Sequence, residues 1–165
     1  MPDDELRKQR LERRKLTERL ILIPLLLLAV GAFFSFGRAI VVGQSMLPTL
    51  KPGQSLTILK AWRLFAPLKE GDIIVVGVKP GQKNRDEEVV KRVIFLQNAT
   101  GTRRWPEILK TPTGTYPTAA LFSRERFSGN ARNGIYVLGD NINNSTDSRD
   151  FGAIFESEII GKVWR

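Results

Sequence analysis

The chain has 165 residues, with 26 Lys and Arg against 17 Asp and Glu, a formal charge of +9, and neither histidine nor cysteine. That length holds one domain plus an anchor. The missing residue types exclude disulfides, thiolate metal sites, cysteine nucleophiles and Ser-His-Asp triads, and leave zinc without its usual ligands.

The excess charge is dispersed. Residues 1–19 carry seven basic against five acidic side chains, and the rest carries nineteen against twelve. Without a dense basic tract, an anionic lipid surface is the simpler partner, and no nucleic-acid partner is expected. No Asp-x-Asp-x-Asp-Gly loop is present, and no metal or other cofactor is implied.

Residues 1–19 form a basic segment that favours a charged helix continuing into an apolar run. That run, Leu20–Gly37, is eighteen residues without a charge. As a helix it spans about 27 Å, enough for a hydrocarbon core, so a transmembrane helix is expected over 20–37, with Pro24 in its first turn or so. The rival reading is a cleaved secretory signal. That would have a shorter apolar region and a small-x-small cleavage site, for which Gly31-Ala32 and Ser35-Phe36-Gly37 are poor candidates. Seven basic residues precede the run, and only Arg38, Lys51 and Lys60 occur in the first twenty-three residues after it. The N-terminus is therefore expected in the cytoplasm, with residues 38–165 across the plasma (inner) membrane of a single-pass protein.

Past the anchor the pattern turns to β. Arg38–Val42, Ser55–Leu59, Ile73–Val78, Glu88–Leu96, Ile135–Leu138 and Ile159–Trp164 are short β-branched or apolar runs divided by Gly, Pro and Asp turns. They predict a mainly β domain of sandwich or barrel type over 38–165. Residues 102–133 hold three prolines and little periodicity, and read as an insertion. Trp62, Leu64, Phe65 and Leu68 form an apolar patch among basic residues, either core or a loop that dips into a membrane surface.

Three segments bear on chemistry. Ser45 stands in Gln44-Ser45-Met46-Leu47-Pro48-Thr49, seven residues after the apolar run. As a nucleophile it needs a base other than imidazole, which leaves Lys, Asp or Glu. Lys91 and Arg92 lie inside the run Glu88–Phe95, Lys91 flanked on its own face by Val89 and Val93, Arg92 by Val90 and Ile94. Alternation alone does not choose between them. Burial lowers a lysine pKa, whereas arginine stays protonated. Both also read as strand-edge charges that discourage aggregation. Gly139–Gly152 is dense in side chains that bond the local backbone. In it Ser145 can orient an amine, while Asp147 and Arg149 can pair. By itself it equally describes a polar loop or a weak calcium site.

Taken together, Ser45–Leu50, Lys91–Ile94 and Gly139-Asp140-Asn141 through Ser145-x-Asp147-Ser148-Arg149 resemble the conserved boxes of type I signal peptidases, membrane-bound Ser/Lys-dyad serine proteases. Glu70–Val76 resembles a further structural box. The resemblance covers 38–165 in the family's order, behind the family's anchor. It implies a compact antiparallel β-sheet domain with an apolar, membrane-facing surface. It also implies Ser45 as nucleophile, Lys91 as general base, Ser145 orienting the amine, and Asp147 and Arg149 in support. The implied substrates are preprotein signal peptides, bound extended, with small side chains at the first and third positions before the cut. The sequence departs from the family twice. Gly43 stands where many relatives have a serine that helps the oxyanion hole, and Phe95-Leu96-Gln97-Asn98 replaces a Gly-x-Pro-Gly-Asp turn. The narrower alternative is a dedicated conjugation- or pilus-type processing peptidase. The alternatives from other classes are a non-catalytic membrane-anchored binding module and a self-cleaving repressor, whose DNA-binding domain would have to stand where the anchor does.

Overall fold

The computed structural model describes residues 2–77, 88–122 and 131–164. The chain divides into two units, Met1–Phe36 and Gly37–Arg165.

The first unit is helix α1, Pro2–Ser35. The basic segment and the apolar run form one helix, and Arg13–Ser35 is long and apolar enough to cross a membrane. The side chains of Leu20–Leu28 are exposed. Because α1 begins at Pro2, Pro24 lies deep in the helix interior instead of its first turn. An apolar environment tolerates such a proline where local adjustments satisfy the freed carbonyl. The helix stops at Ser35, short of the expected Gly37, and strand β1 occupies Phe36–Ile40. A Cβ at Gly37 would lie 2.7 Å from the Lys60 side chain and 3.1 Å from that of Ile58. Gly37 therefore serves as a close-approach residue in a strand.

The second unit is mainly β and antiparallel. Strands β2 (Ser55–Leu59), β3 (Ile73–Gly77), β4 (Glu88–Leu96), β7 (Ile135–Leu138) and β8 (Ile159–Val163) join β1 in a six-stranded sheet of order β1-β2-β8-β3-β4-β7. The last strand of the chain thus lies between β2 and β3. The predicted Val78 end of β3 lies outside the described residues. The segment expected as an insertion contains a hairpin of β5 (Ile108–Thr111) and β6 (Gly114–Pro117), followed by the short helix α3 (Thr118–Leu121). A further short helix, α4, spans Ser148–Phe151.

Central strand β3 is buried on both faces, which accounts for its unbroken β-branched sequence. Ile74 and Val76 join Leu59, Val93 and Val137 in one cluster. Ile73 and Val75 join Met46, Leu50 and Ile58 in another. A third, of Phe95, Leu109, Phe122 and Tyr136 with Trp105, ties the hairpin region to β4 and β7. The apolar patch after β2 splits. Trp62 and Leu68 pack in the first cluster, while Leu64 and Phe65 are 80% and 70% exposed on helix α2 (Trp62–Phe65).

Two features of β4 prepare the site. By alternation Lys91 shares the face of Val89 and Val93, and Arg92 takes the opposite face. The strand pairs with β3 along Glu88–Arg92 but with β7 only from Arg92 onward. Glu88–Lys91 therefore have an outer edge that β7 does not cover.

Candidate active site

The tight turn over Gly43–Leu50 carries Ser45. Its neighbours Met46 and Leu50 are buried in the second cluster, and the Leu50 N–H bonds the Met46 carbonyl at 2.9 Å. The turn contains a cis peptide bond between Leu47 and Pro48. The serine is thus held on a segment anchored on its C-terminal side by two core residues. A second hold comes from the loop after β7. The Asn141 N–H donates to the Ser45 carbonyl at 2.8 Å, and Asn141 Nδ2 donates to the Gln44 carbonyl at 3.2 Å.

Lys91 Nζ lies 2.9 Å from Ser45 Oγ and donates to it. The lysine is only 3% exposed. Burial, which disfavours the ammonium form, pushes its pKa below the ordinary lysine value. Asp147 pulls it back up, Arg149 pushes it down, and Asp150 raises it further. Of the two adjacent cations, the lysine meets the serine. Arg92 instead gives a bidentate pair to buried Asp140, with both N–O distances 2.7 Å, and donates to the Gly71 carbonyl at 2.7 Å. Neither is a strand-edge charge facing water.

The loop from Gly139 to Gly152 is specified by its own side chains. Asp147 caps α4, and its backbone N–H bonds Asp150 Oδ2 at 3.0 Å, a reciprocal capping box. Asp147 is buried. Its oxygens accept from the Gly139 N–H at 3.0 Å and from Arg149 Nε at 2.8 Å. Arg149 Nη2 also donates to the Ile142 and Ser145 carbonyls. The loop is thus built around the Asp147–Arg149 ion pair. Hydrogen bonding to Asp147 raises the Arg149 pKa, against the effect of burial. Ser145 Oγ is buried and has no hydrogen-bond partner among the described residues.

A groove of about 580 Å³ runs past the serine, between Ile40–Gly43 on one side and Glu88–Lys91 on the other. Its second wall is the β4 edge that β7 leaves uncovered. Gly43 leaves open space beside Ser45, the Ser45 nitrogen being the nearest atom at 4.0 Å from a Cβ built there. All five residues singled out in the sequence therefore fall in one region: Ser45 and Lys91 in contact, Asp147 and Arg149 paired beside them, and Ser145 in the same loop with its hydroxyl unpaired.

Sequence reasoning missed Arg92, Asp140 and Asn141 as parts of this assembly. A usable signal was present. Two consecutive cations in a strand must point to opposite faces, and an arginine that takes a buried face needs a carboxylate.

The sequence profile of the family described as signal peptidase, peptidase S26, matches residues 14–97 and 114–164. The chain belongs to the type I signal peptidase family. Signal peptidase I of Bacillus caldolyticus is 31% identical over 158 residues, covering 86% of this chain and 84% of the relative. Signal peptidase IB of Staphylococcus aureus, strains COL and N315, is 30% identical over 142 residues, covering 73% of this chain and 72% of the relative. As a member of the signal peptidase family the protein is a serine protease. The profile leaves out residues 98–113, the stretch that comes after the divergent Phe95–Asn98 turn.

The packing of this signal peptidase around Gly139 yields a direct test. A Cβ there would lie 2.2 Å from Ser145 Oγ and 2.6 Å from the Ser45 carbonyl oxygen, which is backbone and cannot swing away. Gly139→Ala is expected to displace the loop and cut kcat about a hundredfold or more, as small misplacements of reacting groups do. Steady-state kinetics with a preprotein substrate, alongside a thermal melt to establish folding, would check it. A folded variant of normal kcat would show that the loop does not set the serine's position.

Proposed function

We propose that this signal peptidase removes signal peptides from exported preproteins by a Ser45/Lys91 dyad and an acyl-enzyme. The observation that carries the reading is a nearly fully buried amine 2.9 Å from an otherwise unactivated hydroxyl. In the reactive state the lysine is neutral, so the hydrogen lies on Ser45 Oγ and the amine lone pair accepts it. As Oγ bonds to the scissile carbonyl carbon, its proton passes to Nζ and the carbonyl oxygen becomes an oxyanion. The Ser45 N–H stabilises that charge. The C–N bond then breaks, and Lys91 returns the proton to the leaving amine. A water attacks the resulting ester, giving its proton to Lys91, and the serine leaves with that proton. The unpaired Ser145 hydroxyl is suited to orient the amine, and the Asp147–Arg149 pair holds the loop that carries it.

The preprotein is expected to lie extended in the groove, bonding the uncovered backbone edge of Glu88–Lys91 as an added strand. Small side chains at the first and third positions before the cut would let its backbone approach Ser45.

Ser45→Ala removes the bond-forming atom, and Lys91→Arg keeps the charge but supplies no base at working pH. Each is expected to lower kcat for preprotein cleavage in detergent by more than about a thousandfold. Cleavage by the arginine variant at the wild-type rate would remove Lys91 from its role.

The pH dependence has a definite sign. Only the neutral amine acts as base, and burial lowers its pKa from 10.5. Activity should therefore rise with pH and level off below the ordinary lysine value. It falls as acid protonates Lys91. Because the unfolded chain holds that proton more tightly, stability also rises with pH between the folded value and 10.5. A profile of kcat/KM from about pH 5 to 10 tests this. A flat profile, or a limb at the unperturbed lysine position, would contradict the buried-base reading.

The anchor reading belongs to the same proposal. Helix α1 crosses the plasma membrane once over residues 20–35, with 1–19 in the cytoplasm and the β domain on the outer side with the exported substrate. The chain has no cysteine, so single-cysteine variants report topology cleanly. In intact cells or spheroplasts, Thr100→Cys should react with a membrane-impermeant maleimide and Gln9→Cys should not. The opposite labelling would reverse the orientation.

A further inference from the structure

The segment outside the family profile, residues 98–113, ends next to the catalytic loop. Its start is fixed by Gln97. That side chain accepts from the backbone N–H groups of Asn98 and Arg103 and donates to the carbonyls of Gly101 and Arg103. Trp105 then stacks on Phe95 of β4, with ring centroids 4.0 Å apart, and meets Tyr136 of β7 edge-on at 4.7 Å. Leu109 of β5 is buried in the same cluster. The hairpin turns at Pro112-Thr113, between Thr111 and Gly114, which are paired in register. At that tip Thr113 Oγ1 donates to the Asp140 carbonyl at 2.8 Å, and the Thr111 hydroxyl lies 3.1 Å from that of Thr113.

Asp140 is the residue through which three constraints meet. Its carboxylate takes Arg92, its carbonyl takes Thr113, and the next residue's N–H holds the Ser45 carbonyl. We propose that 98–113 is a strut and that Thr113, at its tip, is a positioning residue for Ser45, acting through the Asp140–Asn141 peptide. The proposal rests on the dyad reading above and extends it to a stretch that the family profile does not describe. Thr113 is exposed and its methyl group is not in the core. Its contribution therefore lies in the hydroxyl and not in packing. Without that donor the carbonyl of Asp140 is free to rotate, and the N–H that grips the nucleophile's backbone moves with it.

The test uses full-length enzyme in detergent with a preprotein substrate. Thr113→Val keeps shape and β-branching but removes the donor. It is expected to lower kcat about tenfold while leaving KM within about twofold and the melting temperature near wild type. Thr113→Ser should restore kcat. A wild-type kcat in the valine variant overturns the proposal alone, as does an equal loss in the serine variant or a loss that tracks the folded fraction. Ser45→Ala is measured in parallel. If it still cleaves, the dyad reading fails, and the strut's role in positioning Ser45 fails with it.

Discussion

The proposed chemistry depends on one electrostatic requirement, a lysine amine that gives up its proton readily within bonding distance of a serine. Burial alone pushes the pKa in the right direction, but the nearest carboxylate opposes it. Asp147 is buried and pulls Lys91 toward the ammonium form. Arg149 answers that pull. Its guanidinium sits on the same carboxylate, with Nε 2.8 Å from Oδ1, and its charge pushes the lysine pKa back down. To Lys91 the pair presents two opposed fields of short range, so desolvation dominates. Arg149 therefore bears on the proposed base as well as on the loop. The carboxylate caps α4 and holds the Gly139 N–H, and the arginine beside it offsets its upward pull on the lysine pKa.

The dipeptide Lys91-Arg92 links the proposed base to the proposed nucleophile through the period of a strand. Consecutive residues point to opposite faces, so placing Lys91 on the Ser45 side commits Arg92 to the other. There it meets Asp140, Gly71 and, at 3.5 Å, Thr49. Those contacts fix the loop from which Asn141 reaches the Ser45 carbonyl. One short stretch of β4 thus positions both members of the proposed dyad, one directly and one through the opposite face. The sheet order strengthens the coupling, since β4 lies between β3, whose preceding turn carries Gly71, and β7, which leads into Asp140.

Much of this was legible in the sequence where local chemistry dominates. The Glu88–Leu96, Ser55–Leu59 and Ile135–Leu138 strands match their predicted bounds because β-branched runs end there in turn residues. What escaped depends on distant partners. The end of the anchor helix differs from expectation because Gly37 approaches Ile58 and Lys60, which composition does not register. Residues 108–117 read as irregular because β5 and β6 are only four residues each and mostly exposed, and their one buried anchor, Leu109, gives no visible period. Chemistry favoured Lys91 over Arg92 as a base, since arginine stays protonated, but the partner of Arg92 lies forty-eight residues away at Asp140. The residue types pointed to the chemistry, but the fold decided which cation meets which partner.

The divergent turn after β4 shows how a local substitution acquires a distant consequence. Glycine and proline define a turn through their own backbone preferences. Here Gln97 does so with a side chain, whose amide satisfies four backbone groups of the adjoining loop. Beyond that loop Trp105 packs back over Phe95 and Tyr136, and a rigid aromatic stack is what allows the hairpin after it to project to a defined point. That point is the Asp140 carbonyl. The glutamine-closed loop and the hairpin's contact with Asp140 are thus two ends of one construction, which runs from the end of β4 to the loop that holds Ser45.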